Sequence, residues 1–288
     1  MAADVVIHCG DLTQNSAPGH LRRTIDMLRS ISAPLKLVIA GNHDRVLDDI
    51  GKFRQFEAAA REARQLFNDV RSEGILYLDE GNHTFDLANG ARLRVYASSW
   101  TPAKWDGRAF QYRPENGHDF KIGNDVDVVI THGPPLRILD NTSSNGNAGD
   151  PDLFMAVARV RPLLHCFGHI HSGWGAILAT WHARRSQSPF SYTDIDNDNT
   201  IAIEHLRALC RNRYDDAETS QAKAQKLIEY RAQGFAYSSH CSDDLSPLRP
   251  GEQTFFVNAA YEWSRTGNAS GITEQLPWIV EIELPTAK

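Results

Sequence analysis

A chain of 288 residues, 41% of them hydrophobic, can bury a substantial core and is typical of a globular protein. Its net charge of −6 and the lack of a run of basic residues argue against a nucleic-acid surface, so a small anionic ligand would need a local cation. We find no signal peptide and no apolar run of membrane-spanning length, and the four cysteines are too scattered for a metal knuckle. We therefore expect a cytoplasmic protein for which neither a membrane nor a nucleic acid is a stable partner.

The first elements alternate between strands and helices. Asp4 to Cys9 and Leu35 to Ala40 are apolar runs that predict buried strands. Between them, His20 to Ser30 has apolar side chains at helical spacing, and a proline follows the segment, so it predicts a helix. The stretch from Lys52 to Val70, rich in Ala, Glu, Arg and Gln, predicts a second helix. This alternation predicts an α/β core that begins with a β-α-β unit.

Several strands follow, and they include a hairpin. Asn89-Gly90, a strong hairpin signal, lies between strand candidates at Thr84 to Leu87 and Arg92 to Tyr96. Further strands are predicted at Ile75 to Leu78, Val126 to Ile130, Leu163 to Phe167, Trp174 to Ala179, Thr254 to Asn258 and Trp278 to Leu284. The more polar stretch 182–250 carries two helical patterns, Ile201 to Arg211 and Thr219 to Gln233. We predict one domain over 1–288, with 182–250 as a polar, partly helical insertion.

Four short blocks share one arrangement, in which an apolar strand ends and a polar cluster follows at once. A lone His at a strand end is most often structural, but four such blocks in order indicate one site. Because ligands bind beyond the carboxyl ends of the strands in an α/β sheet, loops distant in sequence are expected to converge there. The blocks are VVIHCGD with Asp11, LVIAGNHD with Asn42, His43 and Asp44, VVITHGPP with His132, and HCFGHIH with His169 and His171.

The residue types in these blocks point to a metal centre. Carboxylate, amide and imidazole groups without a thiolate suit divalent ions such as Mn, Fe or Zn. One Asp can bridge two cations, and two ions about 4 Å apart can activate a bridging water as hydroxide and stabilise phosphoryl oxygens during in-line attack. The blocks therefore favour metal-assisted hydrolysis.

The order of the blocks resembles the calcineurin-like metallophosphoesterase superfamily, and in particular its small metallophosphoesterase-domain proteins. The resemblance covers about residues 4–181 and 254–284. It implies a four-layer α/β/β/α sandwich of two mixed sheets, lacking the first strand, and a metal-dependent phosphoric ester hydrolase with phosphodiesters such as cyclic nucleotides as the leading substrates. Of the family pattern D-x-H, G-D, G-N-H-[DE], His and G-H-x-H, the chain matches the last four as Gly10-Asp11, Gly41-Asn42-His43-Asp44, His132 and Gly168-His169-Ile170-His171.

The resemblance implies a role for each metal-binding position. Asp11 would be the carboxylate that bridges two ions. Asn42, His132 and His169 would complete the site of one ion, and His171 would belong to the other.

Two further residues of these blocks are expected to act without binding metal. The resemblance makes His43 the catalytic residue that contacts the phosphate and assists the leaving group, which suits a side chain able to donate a proton near neutral pH. For Asp44 it implies a supporting role, and an exposed or helix-capping Asp is the alternative.

The D-x-H block of the family does not occur in this sequence. The nearest candidates, Asp119-Phe120-Lys121 and Asp140-Asn141-Thr142, do not end in His. Either the block lies in residues that precede the given sequence, or the chain is a natural variant that binds one ion, or none productively. Two divalent ions, Mn, Fe or Zn, are expected in the first case and at most one in the second.

Three functions remain open at this point. The first is hydrolysis of a small phosphate ester, which is then the expected partner of the site. The second is a degenerate phosphoesterase with one metal site that is inactive or acts as a binding protein, with 182–250 as its partner surface. The third is metal-dependent cleavage of a peptide or amide, against which the G-N-H-[DE] block argues.

Overall fold

The computed structural model describes residues 3–48, 57–103, 107–144, 146–261 and 275–287. The chain divides into two compact units, Met1–Gly133 with Leu284–Lys288, and Pro134–Glu283. The single domain predicted from the sequence stays a prediction, as does the cytoplasmic location. Among the described residues, every helix is too short or too polar to cross a membrane.

The first unit opens with a parallel three-stranded sheet whose strands alternate with helices. Its strands pair in the order β1, β2, β3, so β1 is an edge strand of this sheet. The predicted β-α-β unit is thereby confirmed, while residues 49–56, which include the start of the helix predicted from Lys52, lie outside the described residues. The elements are β1 (Val5–Cys9), α1 (Pro18–Ser30), β2 (Leu35–Ile39), α2 (Glu57–Asp69) and β3 (Ile75–Tyr77).

The core of this unit explains why the two helices form where they do. Leu21, Ile25 and Leu28 of α1 are all buried, as their helical spacing predicts, and they belong to one cluster with Val38 of β2 and Phe67 of α2. Burial of these apolar faces, rather than intrinsic helix propensity, supplies most of the stability of short helices.

A second group of strands in the first unit forms a mixed sheet. β4 and β5 are antiparallel and flank the predicted Asn89-Gly90 turn, where Gly90 has a φ of 88°. β8 is parallel to β5, and the short β6 and β7 pair with each other. The elements are β4 (Gly81–Asp86), β5 (Arg92–Ser98), β6 (Thr101–Pro102), β7 (Gln111–Tyr112) and β8 (Val128–Thr131).

The second unit is also built on mixed pairing. β13 is parallel to β9 and antiparallel to β10, β10 is antiparallel to β11, and β12 is parallel to β14. The α/β class with mixed sheets is therefore confirmed. The elements are α3 (Pro151–Val160), β9 (Leu164–Phe167), β10 (Gly175–Trp181), α4 (Ser191–Asp194), β11 (Ile195–His205), α5 (Leu206–Leu209), α6 (Ala217–Gln233), β12 (Ala236–Ser239), β13 (Gln253–Asn258) and β14 (Trp278–Glu281).

The polar segment 182–250 contributes a strand where the sequence pattern predicts a helix. β11 pairs with β10 from Trp181↔Ile195 to Gly175↔His205. The helix predicted over Ile201 to Arg211 is therefore wrong for 201–205, and only Leu206–Leu209 is helical in that range. The β-branched residues suit a strand, and β10 supplies backbone partners that a local pattern does not reveal. The second predicted helix, Thr219 to Gln233, is confirmed within α6.

Candidate metal centre

The turns after β1 and β2 are packed so closely that both require glycine. Gly10 has a φ of 96°, and a Cβ there would lie 2.5 Å from the carbonyl oxygen of Ala40. A Cβ on Gly41 would lie 2.4 Å from Oδ1 of Asp11 and 2.6 Å from Cε1 of His132. Asp11 itself has a φ of 55°, which is rare outside glycine and typical of functional sites held by their surroundings. The two turns therefore place Asp11 beside His132.

His132 follows β8, and its two ring nitrogens have different partners. Nδ1 lies 2.8 Å from the carbonyl oxygen of Cys9, so this nitrogen carries the hydrogen and donates. In the neutral ring Nε2 then holds a lone pair, and it lies 3.1 Å from Oδ1 of Asn42 and 3.5 Å from Oδ1 of Asp11. Two acceptor oxygens therefore lie beside the lone pair of Nε2, and His132 and Asn42 are buried. A positive charge, either a proton on Nε2 or a metal ion, is needed to make this arrangement favourable.

These three residues fit a divalent metal ion in both chemistry and spacing. Two atoms that each bind one ion at about 2.1 Å are roughly 3.0–3.5 Å apart at bond angles near 90–110°. The distances of 3.1 Å and 3.5 Å agree with that spacing. A histidine whose second nitrogen donates to a carbonyl is also the usual arrangement of a metal ligand. Asp11 and His132 thus belong to a candidate metal site, with Asn42 beside them.

His43 lies next to this site, but its ring has other partners. Its backbone N–H donates to Oδ1 of Asp11 at 3.0 Å. Ring Nδ1 lies 2.7 Å from the carbonyl oxygen of Gln14, so Nδ1 donates and Nε2 accepts. Nε2 contacts Nη1 of Arg108. Both ring nitrogens of His43 therefore have partners other than Nε2 of His132 and the two oxygens beside it.

The buried carboxylate of Asp44 connects the turns that follow β1 and β2 through hydrogen bonds. It accepts hydrogen bonds from the backbone N–H of Leu12 at 2.9 Å and of Gly41 at 2.8 Å, and from both N–H and Oγ1 of Thr13 at 2.8 Å. Burial raises the pKa of Asp44 to about 7, and these donors act in the opposite direction. Asp44 is fully buried, and its side chain makes no cap hydrogen bond to the 3₁₀ turn Arg45–Leu47 that follows it, so the alternative of an exposed or helix-capping Asp is wrong.

His169 and His171 lie in the second unit, in the turn that follows β9. His169 has a φ of 64°, a left-handed conformation like that of Asp11, and His171 begins a short 3₁₀ turn. Asn258, at the end of β13, holds this turn because its Nδ2 donates to the carbonyl oxygens of Ile170 at 3.0 Å and Leu139 at 2.9 Å. The positions of both histidines therefore depend on a buried amide.

Two of these residues were not predicted from the sequence as parts of the site. Asn258 ends a predicted strand, as the predicted ligands do, but no neighbouring Gly or His marks it. Arg108 lies in a loop outside the four blocks, and the only signal is the need for a local cation in an acidic chain. Of the predicted site residues, the structure brings Asp11, Asn42, His43, Asp44 and His132 together in the first unit and places His169 and His171 in one turn of the second.

The chain is similar to a known protein family and to several known proteins. The model of the family described as calcineurin-like phosphoesterase matches residues 1–173. The probable rhamnogalacturonate lyase C of Emericella nidulans is 37% identical over 181 residues, which cover 62% of this chain and 16% of that protein. Human metallophosphoesterase domain-containing protein 1 is 33% identical over 188 residues, which cover 60% of this chain and 56% of the human protein. The chain thus spans less than two thirds of the length of either relative.

Among solved structures, the chain matches the phosphopantetheinyl hydrolase PptH from Mycobacterium tuberculosis. The two are 16% identical with a TM-score of 0.39, over 62% of this chain and 75% of that chain. The family model spans more than half of the 288 residues and includes all four strand-end blocks. The chain therefore belongs to the calcineurin-like phosphoesterase family, whose members are metal-dependent phosphoester hydrolases.

Proposed function

We propose that this chain hydrolyses small phosphoric esters with a metal-activated hydroxide, and that phosphodiesters such as cyclic nucleotides are its leading substrates. The observation that carries the proposal is the lone pair of Nε2 of His132 with two acceptor oxygens beside it, Oδ1 of Asn42 and of Asp11. Family membership supports the reaction class. A bound divalent ion would supply Lewis acidity and a hydroxide at neutral pH.

The proposed ligands follow the roles that the family resemblance implies. Asp11, Asn42 and His132 would hold one ion, and the resemblance adds His169 as a further ligand. Asp11 has a second carboxylate oxygen with which it could bridge to another ion, for which the resemblance supplies His171. This second ion is the finer part of the proposal and rests on the resemblance alone.

His43 is proposed to donate a proton to the leaving group. Its backbone hydrogen bond to Asp11 ties it to the site, and the hydrogen bond from Nδ1 to Gln14 fixes the orientation of its ring. Nε2 is then the ring atom that can take up a proton and pass it to the leaving oxygen. Neither step requires His43 to bind metal.

The test of this proposal compares wild type with Asp11→Asn for bound Mn²⁺ and for hydrolysis of bis-p-nitrophenyl phosphate. We expect the variant to lose activity and bound metal, because an amide is a weaker ligand than a carboxylate and cannot bridge two ions. Asp26→Asn is the matched control, since that side chain is 68% exposed on α1. Wild type that binds no metal and hydrolyses no phosphate ester would refute the proposal.

His43→Ala separates catalysis from metal binding. We expect turnover to fall by about 10²- to 10⁴-fold, the usual contribution of a general acid, with unchanged metal content. Loss of metal from this variant would contradict the role given to His43.

The alternative functions predict different results in the same assays. At most one ion per chain, together with no hydrolysis, would favour a degenerate phosphoesterase that acts as a binding protein or is inactive. A panel that includes peptide and amide substrates decides whether the metal centre cleaves another type of bond.

A further inference from the structure

Arg108 lies against the ring of His43, although 65 positions separate the two residues along the chain. Nη1 of its exposed guanidinium contacts Nε2 of His43. An arginine can only donate, so Nε2 accepts in this arrangement. The carbonyl oxygen of Gln14 beside Nδ1 leads to the same conclusion, because it requires Nδ1 to carry the hydrogen.

The backbone that follows Arg108 is attached to the loop that carries the candidate site. The N–H of Ala109 donates to the carbonyl oxygen of Asn42 at 3.1 Å. The N–H of Phe110 donates to the buried carboxylate of Asp48 at 2.9 Å. Two neighbouring residues thus hold this loop in place, so the position of Arg108 beside His43 does not depend on the side-chain contact alone.

The positive charge of Arg108 has no carboxylate partner within the described ranges of the chain. A guanidinium has five N–H donors, and a neutral imidazole accepts from only one of them without neutralising the charge. A phosphoryl group matches the guanidinium better, because two of its oxygens can accept from the same fork of N–H groups. In a chain with a net charge of −6, such a cation is what a phosphate ester would need.

We propose that Arg108 is a substrate-binding residue that donates to the non-bridging oxygens of the phosphoryl group, and that it leaves Nε2 of His43 when it does so. The inference rests on the proposed function, which places the phosphate between the metal and His43. The backbone N–H of His43 donates to Asp11 at 3.0 Å, so a phosphoryl group held by a metal ion on Asp11 would lie near the arginine that contacts the His43 ring. Without a bound anion, Arg108 contacts Nε2 of His43, the atom that is proposed to transfer the proton. Binding of the substrate would then release His43 and anchor the phosphate in one step.

The test measures binding of inorganic phosphate to the full chain by calorimetry in excess Mn²⁺. We expect Arg108→Gln to weaken phosphate binding by about 10- to 100-fold, the usual effect of losing charge-assisted hydrogen bonds. Arg108→Lys should weaken it less, because lysine keeps the charge but lacks the planar fork. Arg23→Gln is the control, because Arg23 is exposed and, among the residues that the structure describes, donates only to the carbonyl oxygen of Gly19 within its own helix.

The outcomes separate this inference from the proposed function. Phosphate binding that is equally strong in Arg108→Gln and Arg23→Gln overturns the inference, and so does wild type that binds no phosphate. If phosphate binding depends on Arg108 but wild type hydrolyses no ester, the role of Arg108 as a phosphate ligand stands and the hydrolase proposal fails. With an active wild type, Arg108→Gln should raise the KM for bis-p-nitrophenyl phosphate by a similar factor, and an unchanged KM would contradict the assignment.

Discussion

Asp44→Asn tests how the two turns of the candidate site are held together. The wild-type carboxylate accepts four hydrogen bonds, two on each oxygen. An asparagine has nearly the same shape, but one of its two terminal atoms can only donate. If the amide nitrogen takes the place of Oδ1, it can donate to Oγ1 of Thr13, but the N–H of Thr13 then faces a donor. The opposite rotamer leaves two donors, the N–H groups of Leu12 and Gly41, without an acceptor.

Two effects of opposite sign set the magnitude. In the better rotamer one buried N–H has no acceptor, which costs about 1–3 kcal/mol at any pH. Burial raises the pKa of Asp44 to about 7, so the ionised carboxylate is less favourable in the folded chain than in the unfolded chain, where its pKa is about 3.9. Between pH 5 and pH 7 the folded chain keeps a proton that the unfolded chain has lost. Wild type should therefore lose about 3 kcal/mol of unfolding free energy on going from pH 5 to pH 8.5, and Asp44→Asn, which is neutral throughout, should not.

The assay is urea unfolding at pH 5 and at pH 8.5, which lie on either side of the pKa of the wild-type carboxylate. Asp119→Asn serves as the control, because its carboxylate is 82% exposed and lies 3.8 Å from Lys121. Relative to wild type, the unfolding free energy of Asp44→Asn should rise by about 3 kcal/mol between pH 5 and pH 8.5, which moves the midpoint by about 1 M, and that of the control should move far less. A rise below about 1 kcal/mol would mean that burial does not disfavour the charge of Asp44, which would refute the reasoning.

Two further predictions concern the site and the core. Gly41→Ala should lower the affinity for Mn²⁺, because its Cβ would lie 2.4 Å from Oδ1 of Asp11 and 2.6 Å from Cε1 of His132; equal metal content in the variant would contradict this. Burial lowers the pKa of His165 to about 3, so between that value and about 6.5 the unfolded chain binds a proton that the folded chain does not. The free energy of unfolding of wild type therefore falls as the pH drops through 6.5. Between pH 7 and pH 5, we expect His165→Leu to lose about 2 kcal/mol less unfolding free energy than wild type, as measured by urea unfolding. Identical losses would show that His165 takes up its proton in the folded state.

Local sequence patterns were sufficient wherever neighbouring residues decide the structure. Apolar runs ended by glycine and a polar residue predicted the strands and the turns that follow them, because the polar cluster stops the strand and glycine permits the turn. The same blocks predicted Asp11 and His132, which do lie at one site. The spacing of Leu21, Ile25 and Leu28 likewise predicted the buried face of α1.

Tertiary structure decided the features that depend on partners far along the chain. β11 forms as a strand because β10 pairs with it, although the residues from Ile201 onward have a helical pattern. Asp44 joins two turns because its carboxylate is the acceptor that four buried donors require.

The sequence by itself determined the residue types of the candidate site and the strand ends on which they lie, since both depend on neighbours in the chain. Only the folded chain decided which acceptor oxygens lie beside Nε2 of His132 and that Arg108 reaches His43. The physical reason is that hydrogen bonds and charges act through space, over distances that folding sets and sequence separation does not.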